Sequence, residues 1–449
     1  MTNGGEVRLL LALAWPVMLA SLNWTLLHLT DIYVVGLSGT HQVAVFGASR
    51  TLTYIAIMIQ IGALTGVLVR TARADGAGDL PGTGDALREG LVLAVVLASI
   101  IALPYFLFAH PMLRAMGVAE PLGDEAAGVV RIMALAMPAQ LVLIAAGNFL
   151  EGISRPRRVA VVGLATLPLN GALAWAWSGG HWGLPALGAQ GAALATLTCL
   201  IVGAVAMLAA ALTMADSRAR GLADWGAQAM RAAVPGAWKL AQFGLVPAIA
   251  SGLELGGFSW LIALSTQIGE AATHAFQIIF SLHNLTFAFG MGFASAAGVR
   301  AGNAVGEGAG GDARRRTMLA VALSFATVGA TALLYVVAAP AIVAMFAVPA
   351  NVQALSVGML VLWAPFILFD AVQIAFVFAL RSLGDQVVSG AINIFAFFIV
   401  TGAGGWWLVR AGFGTDGLVI ASGAGMVVAA LLNGARFARI SQATRWPAA

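Results

Sequence analysis

The chain has few charged residues for its length. Of its 449 residues only 9% are Asp, Glu, Lys or Arg, whereas 60% are hydrophobic; soluble domains carry about 25% charge. No soluble fold can bury this much apolar surface, so lipid is the expected solvent. The net charge of +4 is spread over short segments between apolar runs. This spread excludes a nucleic-acid-binding surface as the cause of the basic composition.

Cysteine, metal-ligand spacings and nucleotide motifs are also scarce. The single cysteine, Cys199, excludes an internal disulfide. No histidine stands at a metal-ligand spacing from a second one with a third donor nearby, so no metal site is predicted. The glycine-rich segment 306–311 lacks the Gly-Lys-Ser/Thr ending of a P-loop. Without a nucleophile–base pair in the apolar runs either, we expect neither an enzyme nor a bound cofactor.

Twelve apolar stretches are long enough to cross a bilayer, for which about 20 residues are needed. Continuous runs rich in small residues are typical of helices that pack closely in lipid. The predicted fold is therefore an all-α integral membrane protein. The spans are predicted at 9–36, 43–70, 87–109, 126–150, 158–178, 188–214, 237–264, 271–299, 316–340, 353–380, 387–410 and 415–436.

Basic residues are concentrated in alternate segments between these spans. With the N-terminus inside, 19 of the 23 basic residues lie in inner segments, including Arg445, whereas only Arg114 and Arg410 lie in outer ones. Cytoplasmic loops are enriched in Lys and Arg. We therefore predict a multi-pass protein of the bacterial inner (plasma) membrane with both termini in the cytoplasm.

The two halves of the chain repeat each other. Residues 39–76 align without gaps with 269–306, so that Gly62 matches Gly292 and Arg70 matches Arg300. Six spans in each half give the copies the same orientation, as in parallel repeats of transporters. The predicted architecture is two parallel-repeat six-helix lobes around a central cleft. The predicted divisions are an N-lobe at 1–214, a cytoplasmic linker at 215–236 and a C-lobe at 237–449.

Three carboxyl groups lie inside the apolar spans. Asp31 is in span 1, where Pro16 precedes it; Glu254 is in span 7 and Asp370 in span 10. A charge at the bilayer centre costs roughly 3 kcal/mol, so such residues usually bind an ion, a proton or a cationic ligand. A proline inside a helix favours a bend, which makes span 1 a candidate gating element.

Two amides complete the predicted ion- and substrate-binding set. Asn148 in span 4 and Asn170 in span 5 are expected to supply amide oxygens near Asp31. A carboxylate with amide oxygens suits a hard monovalent cation or a proton relay. The alternative for each amide is a hydrogen bond between helices.

Several motifs together resemble the multidrug and toxic compound extrusion (MATE) family. They are the two parallel six-span copies, Asp31 fifteen residues after Pro16, and the segments 292–300 and 380–385. The deep pair of Glu254 and Asp370 is similar to the NorM-like branch of that family. The resemblance implies a C-lobe cation site at that pair and an N-lobe site at the Asp-plus-Asn set.

In function, the resemblance implies a secondary active efflux antiporter that exchanges H⁺ or Na⁺ for cationic amphipathic small molecules by alternating access. Membrane lipid is the other expected partner, nucleic acid is not, and a monomer is expected. Two positions depart from the family pattern. Phe366 stands where the NorM-like pattern has a tyrosine, and Ala174 stands where some members have a polar group. With fewer oxygen ligands, protons are favoured over Na⁺.

Two other classes of membrane transporter are the alternatives. The first is a flippase for lipid-linked glycans, but such proteins line the cleft with cations, and here the buried charges are acidic. The second is another twelve-span secondary transporter of the major facilitator type. Its basic loop motif does not match 70–79 well.

Overall fold

The computed structural model describes residues 3–346 and 348–442, apart from the side chain of Thr51. These residues are almost wholly helical, and no strand occurs among them. Arg445, which the sequence places in an inner segment, lies outside the described residues. The first half of the chain forms six long helices: α1 (Asn3–Leu37), α2 (Thr40–Gly76), α3 (Leu80–Ala115), α4 (Leu122–Gly152), α5 (Pro156–Gly179) and α6 (Gly188–Leu212).

The second half is more broken. Two stretches of it, Ile394–Ala403 and Val409–Phe413, are π-helical and join the α-helices before and after them. The α-helices are α7 (Ala227–Ala232), α8 (Val234–Ile268), α9 (Glu270–Gly306), α10 (Gly310–Val337), α11 (Ala339–Ala344), α12 (Ala350–Trp363), α13 (Phe366–Ser382), α14 (Gln386–Asn393), α15 (Gly404–Leu408) and α16 (Gly414–Ile440).

The helices account for the predicted twelve spans. Within the described ranges, ten helical segments are long and apolar enough to cross a membrane, and α12 with α13 forms one more, bent by 49°. The longest segment, Gln386–Ile440, has 55 residues and contains two predicted spans. Its backbone turns between them at Gly412 and Gly414, whose φ angles of 89° and 53° favour glycine. The predicted all-α, twelve-span fold is confirmed.

The chain divides into two compact units. The C-unit holds the residues up to Met18, Gly76–Gly78 and the residues from Ile249 onward; the N-unit holds Leu19–Asp75 and Asp79–Ala248. The boundary between the units therefore divides α1 after Met18 and α8 after Ala248. The predicted lobes have their boundaries at other positions. The lobe boundaries at 1–214 and 237–449 stay a prediction.

The segment predicted as the linker, 215–236, belongs to the N-unit and packs within it. The guanidinium of Arg220 is buried, 2.8 Å from a carboxylate oxygen of Asp216 and 2.9 Å from one of Asp75. Burial raises the pKa of Asp216, but the hydrogen bond and charge of Arg220, with the charge of Arg155, outweigh it and lower that pKa below its ordinary value. This part of the chain is thus held by ion pairs and is not a free tether.

Glycines at matching positions of the two repeats let a proline-bearing helix pack closely. In the N-unit, a Cβ on Gly62 of α2 would lie 2.6 Å from the carbonyl oxygen of Pro247 in α8. In the C-unit, a Cβ on Gly292 of α9 would lie 2.6 Å from the carbonyl oxygen of Ala14 in α1. Small residues allow such close approach between membrane helices. The internal repeat therefore preserves the same packing contact in both units.

Replacing Gly62 by leucine is expected to destabilise the N-unit. The α8 backbone already occupies the space that the side chain needs, and overpacking costs about 1–3 kcal/mol. Thermal unfolding of the purified protein in detergent measures the effect. Gly47→Leu is the matched control, because a Cβ on Gly47 of the same helix meets nothing within 4 Å. Equal melting temperatures for the two variants would contradict the packing.

Candidate functional site

Asp31 is buried in the N-unit and is hydrogen-bonded from two helices. Its side chain is on α1, and the residue is 2% exposed. Nδ2 of Asn170 on α5 donates to Oδ1 at 2.6 Å, and the hydroxyl of Thr196 on α6 donates to Oδ2 at 3.3 Å. A buried carboxylate needs such donors, because burying an ionised group without hydrogen bonds costs about several kcal/mol. Asp31 is therefore an internal residue and is not solvated at a membrane surface.

Glycines bring these three helices together. A Cβ on Gly171, next to Asn170, would lie 3.4 Å from the Thr30 methyl group, so α5 approaches α1 closely beside Asp31. A Cβ on Gly191 of α6 would lie 2.5 Å from the backbone of Trp177 in α5. These contacts set the spacing at which Asn170 and Thr196 can both reach the carboxylate.

Arg50 on α2 supplies the positive charge nearest to this group. It lies within electrostatic range of Asp31. Its guanidinium donates to the hydroxyl of Tyr54 and lies 4.7 Å from the centroid of that ring. The ring of His28, one turn before Asp31, lies 5.1 Å from the Tyr54 ring. The Asp31 charge is thus compensated at a distance, without a direct ion pair.

Asn148 makes a different contact from the one predicted. Its Nδ2 donates to the backbone carbonyl of Leu64 at 2.9 Å, which joins α4 to α2. That is the helix-pairing alternative for this residue. Of the two predicted amides, the structure brings Asn170 and not Asn148 into hydrogen-bond contact with Asp31. The sequence could not separate them, because both amides lie in similarly apolar surroundings and only packing decides their direction.

A cavity of about 80 Å³ lies in the N-unit beside this group. Thr196 forms part of its wall, and most of the remaining lining is apolar, including Trp24. Asn23 also lines it, is 5% exposed, and its Oδ1 has no hydrogen-bond partner among the described residues. An apolar cavity with a few convergent polar groups is the usual form of a small-molecule site.

Asp370 is a buried acid of the C-unit. It is 3% exposed and lies on α13, just after the bend that separates α13 from α12. Nε2 of Gln373 donates to Oδ1 at 3.3 Å, and Nε2 of His283 on α9 is 3.7 Å from Oδ2. A Cβ on Gly290 would lie 3.4 Å from Cα of Ala371, so α9 and α13 approach closely beside this carboxylate.

Glu254 on α8 has Asp370 within electrostatic range. The charged groups within its electrostatic range are Asp370 and Arg381. Glu254 is partly buried. The charge of Asp370 repels an ionised Glu254, and the charge of Arg381 offsets part of that repulsion. The two acids that the sequence pairs thus lie in the same unit and within electrostatic range, and their pairing and their roles in binding stay predictions.

Phe366 occupies the position where the resembled family has a tyrosine. A Cβ on Gly423 of α16 would lie 2.3 Å from Cγ of Phe366, so its ring packs directly on the α16 backbone. Phenylalanine has no hydroxyl to offer a cation.

Three polar contacts of these carboxylates were not predicted from the sequence. Thr196 carried no signal, because threonine is common in membrane bundles. Gln373 lies one turn after Asp370 on the same helix, a spacing that puts the two side chains next to each other. His283 carried the clearest signal, since it is a titratable residue in the middle of an apolar span at 271–299.

One His–carboxylate group in the described part of the chain has ligand atoms close enough for a metal ion. His110, Glu120 and Asp124, at the ends of α3 and α4, offer atoms within 4.8 Å of one another. Nε2 of His110 is 2.5 Å from Oε1 of Glu120 and 3.3 Å from Oδ1 of Asp124, so the members pair with each other. Exposed acidic groups often cluster in this way without a metal, and the expected lack of a metal site stays a prediction.

Comparison with known protein families finds matches in both halves of the chain. The family model described as MatE matches residues 16–176 and again 247–407. The two matches begin at Pro16 in α1 and at Pro247 in α8, the two helices that are divided between the units. This double match supports the internal repeat predicted from the sequence.

Relatives of known name cover nearly the whole chain. A probable multidrug resistance protein NorM of Deinococcus radiodurans is 30% identical, over 98% of this chain and 97% of its own. A protein of the same name from Caulobacter vibrioides is 29% identical, over 92% and 87%. The multidrug resistance protein PmpM of Pseudomonas aeruginosa is 28% identical, over 88% and 82%.

Solved structures share the fold at lower identity. The eukaryotic MATE transporter AtDTX14 superimposes with a TM-score of 0.87 at 18% identity, over 98% of both chains. An outward-facing multidrug resistance MATE family transporter of the MOP superfamily gives a TM-score of 0.86 at 19% identity, over 98% and 97%.

Proposed function

Because the chain belongs to the MATE family, as a NorM-like member, we propose that it is a secondary active multidrug efflux antiporter. It exchanges H⁺ or Na⁺ for organic cations by alternating access. The observation that carries this proposal is the pair of buried acidic sites, one around Asp31 and one around Asp370. Each is a carboxylate that only neutral groups touch within hydrogen-bond distance.

The chemistry of exchange follows from this lack of a direct cationic partner. A buried carboxylate in a low-dielectric interior is stabilised by any positive species that reaches it. A proton or Na⁺ and an organic cation then compete for the same negative charge. Binding one species displaces the other, which couples the two flows without ATP or a bound cofactor.

The lining of the N-unit cavity supports the proposed substrate class. Apolar walls suit an amphipathic molecule, and the indole of Trp24 offers a ring face to a cation, a contact worth about 0.5–2 kcal/mol. Asn23 and Thr196 add polar groups. We propose cationic amphipathic small molecules as substrates, and a monomer in the bacterial inner membrane with both termini in the cytoplasm.

Reconstituted liposomes test the proposal. Liposomes that contain the purified protein and are loaded with ethidium are expected to release it when a pH or Na⁺ gradient is imposed. Collapsing the gradient with an ionophore is expected to stop the release, and protein-free liposomes give the background rate. Ethidium release at the same rate with and without the gradient would overturn antiport. Movement of a lipid-linked glycan, with no ethidium release, would favour a flippase.

A further inference from the structure

A histidine that the proposed exchange does not use lies against Asp370. His283 is 5% exposed, and its Nε2 is 3.7 Å from Oδ2 of Asp370, within ion-pair distance when the imidazole is protonated. Its Nδ1 is buried and has no hydrogen-bond partner among the described residues. A buried histidine that only packs would have its ring nitrogens satisfied. The polar neighbour of the imidazole is thus the Asp370 carboxylate, on the Nε2 side of the ring.

Aromatic rings surround the imidazole. The rings of Phe258 and Trp363 lie 5.7 and 5.6 Å from it, each at an interplanar angle of 29°. Those of Phe280 and Phe287 both lie 6.1 Å away. Ring faces at this distance attract a cation electrostatically, so they stabilise an imidazolium more than a neutral imidazole.

We propose that His283 carries the exchanged proton opposite Asp370 and commits the C-unit site to H⁺; this rests on the proposed antiport. With the proton on Nε2, imidazolium and carboxylate neutralise each other. When the proton leaves from Nε2 to water, the pair has one net negative charge, which one monovalent organic cation can take up. One proton is thus exchanged for one cation with the charge of the site conserved.

The surroundings of the carboxylate disfavour Na⁺. Hard cations are held by oxygen ligands. Here one oxygen of Asp370 is opposite the His283 nitrogen, and the other accepts an N–H from Gln373. Phe366 brings no hydroxyl. Glu254 on α8 has Asp370 within electrostatic range, and Arg381 on α13 opposes the charge of Glu254.

The experiment separates proton coupling from substrate binding. His283→Gln and His283→Asn are compared with wild type in two assays, ethidium efflux driven by a pH gradient and ethidium exchange at equal pH on both sides. We expect gradient-driven efflux to fall about 10-fold or more, since a proton carrier is lost, while exchange stays within about twofold. His274→Gln, an exposed histidine on the same helix, is the matched control and is expected to behave as wild type.

Three results would overturn the assignment. One is a folded His283 variant with the wild-type response to a pH gradient. Another is loss of both efflux and exchange in a folded variant, which indicates a substrate-binding role. The third needs no variant: wild-type efflux driven by a Na⁺ gradient with the pH clamped. A wild type that shows no gradient-driven efflux at all would instead remove the proposed antiport, so the two failures are distinct.

Discussion

Asp370→Asn is expected to reduce gradient-driven ethidium efflux to the rate of protein-free liposomes. Asparagine keeps the size of the side chain and can still accept from Gln373, but it has no negative charge and no carboxylate to take up a proton. Asp370 is buried, and His283 would then face a neutral group. Because exchange needs the negative charge that both species share, removing it stops coupling rather than weakening it. The same liposome assay measures the rate.

The control for this variant is a carboxylate that lies elsewhere. Asp416 is exposed in the first turn of α16, so Asp416→Asn makes the same chemical change outside the buried sites. It is expected to transport as wild type. Size-exclusion profiles and yields in the membrane fraction must match for both variants. Efflux at the wild-type rate by correctly inserted Asp370→Asn protein would remove this residue from the mechanism.

Much of the fold was predictable because lipid makes the sequence signal strong. A span must be apolar for about 20 residues, and its backbone must be satisfied within the helix, so hydropathy alone places most helices. The break between the last two spans was also predicted, between residues 410 and 415. In the structure, Gly412 and Gly414 have positive φ angles there. What the sequence could not show is the division of α1 and α8 between units, because that depends on which helix packs against which.

The candidate sites were also predictable only in part. A charged residue in an apolar span is conspicuous, so Asp31, Glu254 and Asp370 were all found from the sequence. Their neutral neighbours were not, because an amide or hydroxyl in a bundle has several possible partners. Asn170 and Asn148 were equivalent as sequence, yet one touches Asp31 and the other pairs two helices. Charge identifies such a site, and packing chooses the groups that complete it.

Removing the carboxylate of Glu6 is expected to destabilise the C-unit more than any surface change. Glu6 on α1 is fully buried and binds Arg300 of α9 through both oxygens, at 2.6 Å to Nε and 2.9 Å to Nη2. Nε of Arg316 on α10 is 3.9 Å away. Glu6→Ala leaves Arg300 buried with only part of its hydrogen bonds, and breaking a buried pair costs about 3–5 kcal/mol. Thermal unfolding in detergent measures this loss.

Two further variants show whether the buried charge is the cause. Glu125, which pairs with His41 at 43% side-chain exposure, gives the exposed counterpart, and Glu125→Ala is expected to cost about 1 kcal/mol or less. The double variant Glu6→Ala/Arg300→Met is expected to recover much of the lost stability, since replacing both members of a buried pair by apolar groups is often neutral. If the double variant is less stable than Glu6→Ala, the loss does not come from an unpaired Arg300. In that case the contacts of α1 with α9 and α10, rather than the ion pair, hold this end of the helix.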